Sequence, residues 1–221
     1  NKSKKRNVCV VVASRANYGR IKSTLIEINK HPKLNLQLVV SASALLDRFG
    51  SVIDIIKKDG FKILATVHVV IEGESPITMA KSTGLAIIEL STIFNDLQPD
   101  FVLTVADRYE TIATAIAASY MNIPLVHTQG GELTGSIDES VRHAITRLAH
   151  IHFPSTEESA NRLIKTGENK KFIFNVGCPS IDTLKNQNLQ IYGLKNFKKG
   201  VGGNIDLTKP YILVVQHPVT T

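Results

Sequence analysis

Asp107 and Arg108 follow the apolar run "DFVLTVA", and Gln129, Gly130, Gly131, Glu132, Asp138, Arg142 and His143 crowd the stretch after "IPLVHT". Carboxylates gathered on one rim push their proton affinities apart, so one can hold a proton while another takes one, as acid and base chemistry requires. Arginines beside them suit the phosphate of a substrate. Ser14, Arg15 and Asn17 occupy the equivalent place after "NVCVVVAS", and His217 stands after the last apolar run, "PYILVVQ". Each also has a plainer reading. Asp107 is either a helix N-cap or a catalytic group, and Arg15 and Arg108 are either surface arginines or phosphate contacts. Ser136 followed by Glu139 fits a capping box, and Asp138 then falls in the first helical turn, where it suits the helix dipole and can pair with Arg142 four residues on. Gly130 and Gly131 suit a sharp turn or a close backbone approach to a ligand.

These residues need a scaffold that brings strand ends together, and the chain supplies one. Apolar, β-branched runs at 7–14, 34–43, 62–70, 100–106 and 123–128, a short "IHFP" and "FIFNV" at 172–176 read as strands. Helical segments separate them: 18–31, about 52–58, a long one carrying Met79, Leu85, Ile88, Leu90 and Ile93 that ends before Pro99, then 108–120, 137–149 and 156–166. This alternation describes an α/β fold, a doubly wound parallel sheet covered on both faces. In such sheets ligands bind beyond the carboxyl ends of the strands, where the residues named above collect. Residues 1–184 make this Rossmann-like domain, 185–209 read as a polar linker or insertion, and 210–221 open a second, truncated α/β domain.

With 221 residues and 43% hydrophobic content the chain can bury a sizeable core. No run of roughly 18 apolar residues is expected to span a membrane, and the first residues lack the order of a signal peptide, so the expectation is a cytoplasmic protein without a membrane partner. Cys9 and Cys178 lack metal-ligand spacing and are expected to be free thiols, with no structural metal. The net charge of +7 and pI near 9.4 suit an anionic partner. The lysine clusters at 2–6 and 195–199, however, hold a single aromatic, Phe197, which argues against nucleic acid. No G-x-G-x-x-G follows the first strand, no acid closes the second and no Walker motif is present, so nicotinamide and P-loop chemistry are not expected.

In order and spacing, "SRANYG", "ADRYE", "HTQGGELTGSIDESVRHAITRLAH", "GCPSID" and "VVQHPVTT" resemble the hydrolysing UDP-N-acetylglucosamine 2-epimerases of sialic acid biosynthesis. The resemblance implies the N-terminal half of a glycosyltransferase-B-type two-domain architecture with the first strand of the second domain. It implies anti elimination of UDP to a 2-acetamidoglucal, then addition of water to give N-acetylmannosamine, with no cofactor and, in the full-length protein, a homo-oligomer (dimer or tetramer). By matching position, Asp107 and Asp138 fall on catalytic carboxylates and Arg108 on a substrate-contacting arginine. Arg15 falls on a nucleotide-side arginine and His217 on the cleft histidine of the second domain. Arg142 and His143 lie in the matched motif as substrate-binding candidates, and Gly130 and Gly131 are implied to let the turn approach the sugar. Two departures stand out. Gln129 replaces a glutamate common in the family, so that Glu132 or another carboxylate must substitute or the substrate differs, and Ala44 replaces a common histidine. They leave room for a sibling acting on an NDP-2,4-diacetamido-2,4,6-trideoxyhexose of the legionaminic acid pathway, or for a homologue that binds nucleotide sugars without turnover. The fragment alone is expected to be inactive.

Overall fold

The computed structural model describes residues 4–73, 75–185 and 209–216. Contacts divide the chain into two units, Asn1–Lys185 and Asn186–Thr221.

The first unit follows a regular alternation. In chain order it contains β1 (Arg6–Val12), α1 (Arg15–Lys30), β2 (Leu34–Ser41), α2 (Val52–Lys58), β3 (Ile63–Val67), α3 (Pro76–Leu97), β4 (Phe101–Val105) and α4 (Tyr109–Tyr120). It continues with β5 (Leu125–Thr128), α5 (Ile137–Leu148), β6 (Ile151–Phe153), α6 (Glu157–Lys165) and α7 (Pro179–Lys185). The six strands pair in parallel in the order β3-β2-β1-β4-β5-β6, so the direction of winding reverses between β1 and β4. That reversal opens a crevice at the carboxyl ends of β1 and β4.

Strand periodicity builds two cores. Val8, Val10 and Val12 pack with Ile21, Leu25 and Ile56 on one face of the sheet. Cys9, Val11 and Ala13 point the other way, toward Leu90, Phe94, Ala113 and Ile145. Burial on this second face pushes the Cys9 thiol up to about 12, which leaves it unreactive.

Several elements differ from the sequence expectation. β3 stops at Val67 because its neighbour β2 ends at Ser41, opposite that residue, and residues 68–70 have no ladder to join. "FIFNV" forms no strand; a 3-10 turn over Lys170–Phe172 limits it to one bridge between His152 and Ile173. α1 begins at Arg15, so Arg15 and Asn17 sit in its first turn. In α3 the buried face is Ser82, Ala86, Leu90 and Phe94, while Leu85 and Ile88 are exposed. α3 is also long and apolar enough to cross a bilayer by length and composition alone. In the second unit, residues 211–215 are exposed and belong to no strand, since no neighbouring strand pairs with them among the described residues.

Candidate active site at the carboxyl ends of the strands

The β1/β4 crevice is tied together by Asn17. Its Nδ2 donates to the Val105 carbonyl (3.4 Å) and its Oδ1 accepts from the Ala13 N–H (3.3 Å), linking the ends of the two strands where winding reverses. Ser14 caps α1, its hydroxyl accepting from the Asn17 N–H. Both side chains are buried and engaged within the fold. Their side-chain hydrogen bonds run within the fold, at the rim where both are substrate-binding candidates from the sequence. Arg15 is exposed at the same rim.

Asp107 caps no helix. α4 starts at Tyr109, with Arg108 in extended conformation at the N-cap, and the Asp107 carboxylate pairs with Arg142. Arg142 comes from α5, is 1% exposed, and also donates to the Glu132 carbonyl (2.8 Å) and to Thr134 Oγ1 (3.4 Å). The expected Asp138–Arg142 pair is therefore replaced by one joining the loop after β4 to α5. A within-helix partner would have to reach Arg142 along the surface of α5, whereas Asp107 meets it in the interior. Burial, with the nearby charge of Arg20, lowers the Arg142 guanidinium to about 10, still charged at neutral pH.

Asp138 lies in the first turn of α5, half-buried and close enough to Arg108 for its charge to register there. Burial works against the Arg108 charge, but the buried Glu110 carboxylate, 3.0 Å from Nε, outweighs it and the net shift is upward. Among the described residues, the side-chain carboxylates of Glu132 and Asp138 have neither a hydrogen bond nor an ion pair, which leaves both open to a ligand. The capping box expected from Ser136 and Glu139 does not form. Glu139 reaches back past Ser136 to accept from the Thr134 and Gly135 N–H groups, which hold it below the usual carboxylate range, and the Ser136 hydroxyl caps nothing. His143 is partly exposed, 3.8 Å from Glu139.

Gln129 is buried and sits in a left-handed backbone conformation at the end of β5, as Ala106 does at the end of β4. Such conformations cost about 1–2 kcal/mol for a residue with a Cβ, so two of them at adjacent strand ends mark a rim held by its surroundings. Arg20 donates to Gln129 Oε1 (3.1 Å), which fixes the amide orientation and leaves Nε2 facing the Cys178 sulfur at 3.5 Å. Residue 129 thus presents N–H groups and no proton acceptor. Ala44 is fully buried and offers no polar group either. The close approach at the two glycines is internal: a Cβ on Gly131 would overlap the Ser159 carbonyl of α6, and one on Gly130 would lie 3.0 Å from Thr146 Oγ1 and 3.1 Å from His127 Nδ1. His217 lies outside the described residues.

His127 locks these loops from beneath. Its Nε2 donates to the Ala106 carbonyl (2.9 Å), so Nδ1 accepts from the Thr146 hydroxyl (3.1 Å). Complete burial lowers its pKa from 6.5 to about 4. The unfolded chain then binds a proton between these values that the folded chain refuses, so the contribution is full above pH 6.5 and is lost as pH falls through 4. The span corresponds to roughly 3 kcal/mol. In urea denaturation across this range, the stability advantage over a His127→Asn variant is expected to shrink progressively toward pH 4; a constant difference would show that His127 is not held neutral.

A family model described as UDP-N-acetylglucosamine 2-epimerase matches residues 26–221, which takes in the whole rim from β4 onward. The chain belongs to this family. It is 36% identical over 217 residues to the GDP/UDP-N,N'-diacetylbacillosamine 2-epimerase (hydrolyzing) of Campylobacter jejuni, covering 98% of this chain and 55% of that protein. It is also 36% identical to the UDP-N,N'-diacetylbacillosamine 2-epimerase (hydrolyzing) of Legionella pneumophila, covering 97% and 56%. A UDP-N-acetylglucosamine 2-epimerase of Neisseria meningitidis is 30% identical, covering 98% and 55%. The chain spans about half the length of these relatives. A crystal structure of a UDP-N-acetylglucosamine 2-epimerase superposes with a TM-score of 0.78 at 24% identity, covering 89% of this chain and 52% of that one, which shows the shared fold.

Within this epimerase-family rim Arg142 meets both the Asp107 carboxylate and the Glu132 backbone carbonyl, and Asp138 lies near enough to Arg108 for its charge to act there. Sequence reasoning missed Arg20 and Glu110. Glu110 was visible as the acid two places after Arg108. Arg20 had no signal, being 109 residues from Gln129 in the chain.

Proposed function

We propose that the protein to which this chain belongs is a hydrolysing UDP-N-acetylglucosamine 2-epimerase, releasing UDP and N-acetylmannosamine through 2-acetamidoglucal. The observation that carries this reading is the pair of unengaged carboxylates, Glu132 and Asp138, flanking the Asp107–Arg142 ion pair on a rim whose family model bears that name. Elimination needs a base for the proton on C2, and hydration of the glucal needs a group that delivers water. We assign these tasks to Glu132 and Asp138, whose carboxylates are unengaged. Asp107, held by Arg142, supplies a fixed negative charge, while Arg15 and Arg108 suit the departing diphosphate. Gln129, bound through its oxygen by Arg20, serves as a donor toward a substrate acceptor and takes no proton.

A second reading keeps the reaction and changes the sugar to a 2,4-diacetamido-2,4,6-trideoxyhexose. It is favoured by the Campylobacter and Legionella relatives at 36% identity, against 30% for the Neisseria protein.

The full-length protein, incubated with UDP-N-acetylglucosamine in deuterated water and followed by proton NMR, is expected to release N-acetylmannosamine carrying deuterium at C2. Turnover of UDP-N,N'-diacetylbacillosamine alone would establish the second reading. Tight binding of both without product would overturn the enzymatic proposal.

A further inference from the structure

Glu110 is a carboxylate whose burial needs a reason. Its side chain is 3% exposed in the first turn of α4. One oxygen, Oε2, accepts from Arg108 Nε at 3.0 Å, and the other, Oε1, is buried with no hydrogen-bond partner among the described residues. An acid in a first turn favours the helix dipole from the surface as well as from the interior, so the dipole explains its place in the sequence and not its burial. An unsatisfied carboxylate oxygen in the interior works against folding, which puts the reason for the residue outside stability.

That reason lies in Arg108. Side chains two apart do not face each other within a helix, and this pair forms because Arg108 is still extended at the N-cap. Its guanidinium is held on two sides, at Nε by Glu110 and with Cζ 5.9 Å from the centre of the Tyr109 ring. The two terminal Nη groups make no hydrogen bond among the described residues, and the side chain is 45% exposed at the rim. A guanidinium anchored at Nε presents its Nη pair as a fork, which matches two oxygens of a phosphate.

We propose that Glu110 is a positioning residue, holding Arg108 by Nε so that its Nη groups meet the diphosphate of the nucleotide. The proposal rests on the diphosphate contact assigned to Arg108 above. Charge alone argues for a different residue at 110, because a carboxylate this close to an anion site repels the anion. Positioning and plain electrostatics therefore give opposite signs for its removal.

Calorimetric titration of the full-length protein with UDP reads that sign and needs no turnover. Glu110→Leu is expected to weaken UDP binding about tenfold although it removes a negative charge, and Glu110→Gln, which keeps a neutral acceptor for Nε, about threefold. Arg108→Met is expected to weaken binding about tenfold by itself, and adding Glu110→Leu to it is expected to change nothing further, because the effect passes through Arg108. If Glu110→Leu does not fold, Glu110→Gln, which keeps the shape of the side chain, decides the sign. Unchanged or tighter UDP binding in either Glu110 variant, wild-type UDP affinity in Arg108→Met, or a further loss from Glu110→Leu in that background would each overturn the proposal. Failure of the epimerase reading shows separately, as UDP bound with neither nucleotide sugar turned over.

Discussion

Replacing Arg142 with methionine is expected to destabilise the protein by about 3–5 kcal/mol and to abolish the proposed turnover in the full-length protein. The guanidinium is 1% exposed and satisfies three separate groups: the Asp107 carboxylate, the Glu132 carbonyl and the Thr134 hydroxyl. Methionine fills much of the same volume, so the loss is electrostatic. Asp107, with 13% of its side chain exposed, is left as an unpaired carboxylate, and the Glu132 carbonyl loses its donor. Urea denaturation measures the cost. Adding Asp107→Asn to Arg142→Met removes the stranded charge and is expected to recover part of the stability without recovering activity. A loss below about 1 kcal/mol for Arg142→Met would mean that the pair contributes little beyond what water would supply.

The second large effect is expected at Gly131. Its φ of +81° is a left-handed conformation, and an added Cβ would collide with the Ser159 carbonyl of α6 and approach Leu163 Cγ to 3.2 Å. The left-handed backbone alone costs about 1–2 kcal/mol with a side chain present. The collision adds more, because a backbone carbonyl inside α6 yields only if the helix moves. That movement would also strain the contact between the Arg162 guanidinium and the Gly131 carbonyl. Gly131→Ala is therefore expected to lose about 3–5 kcal/mol, near the upper end for a single substitution. Gly130→Ala, whose φ is not left-handed and whose neighbours are side-chain atoms of Thr146 and His127, is expected to lose distinctly less. Equal losses at the two sites would remove α6 packing as the reason for the glycine at 131.

Together these variants separate two demands on the loop between β5 and α5. It must fold back tightly against α6, which fixes Gly131, and it must carry Glu132 and Asp138 to the rim with their carboxylates unengaged. One short connection meets both because Arg142 gathers the loop from inside while Glu139 closes its outer end.

Much of the fold was legible in the sequence. Uninterrupted β-branched runs such as "VCVVVA" have few options other than a strand buried on both faces, and Pro76, Ser75 and Thr78 mark the start of α3 by local chemistry alone. The rim was legible too, since the residue after a parallel strand necessarily lies at the sheet's carboxyl edge. Partners were not. Local spacing offered Arg142 an acid four residues away, yet the pair formed with Asp107, 35 residues away, and Arg20 found Gln129 across 109 residues. The internal hydrogen bonds of Ser14 and Asn17 were not legible from their place after β1, and the long apolar helix hid which of its faces would pack. Sequence determines period, capping and the order of motifs because these depend on neighbours along the chain. Which polar groups are used up inside the fold, and which are left for a substrate, was decided only when separate strand ends were brought together by packing.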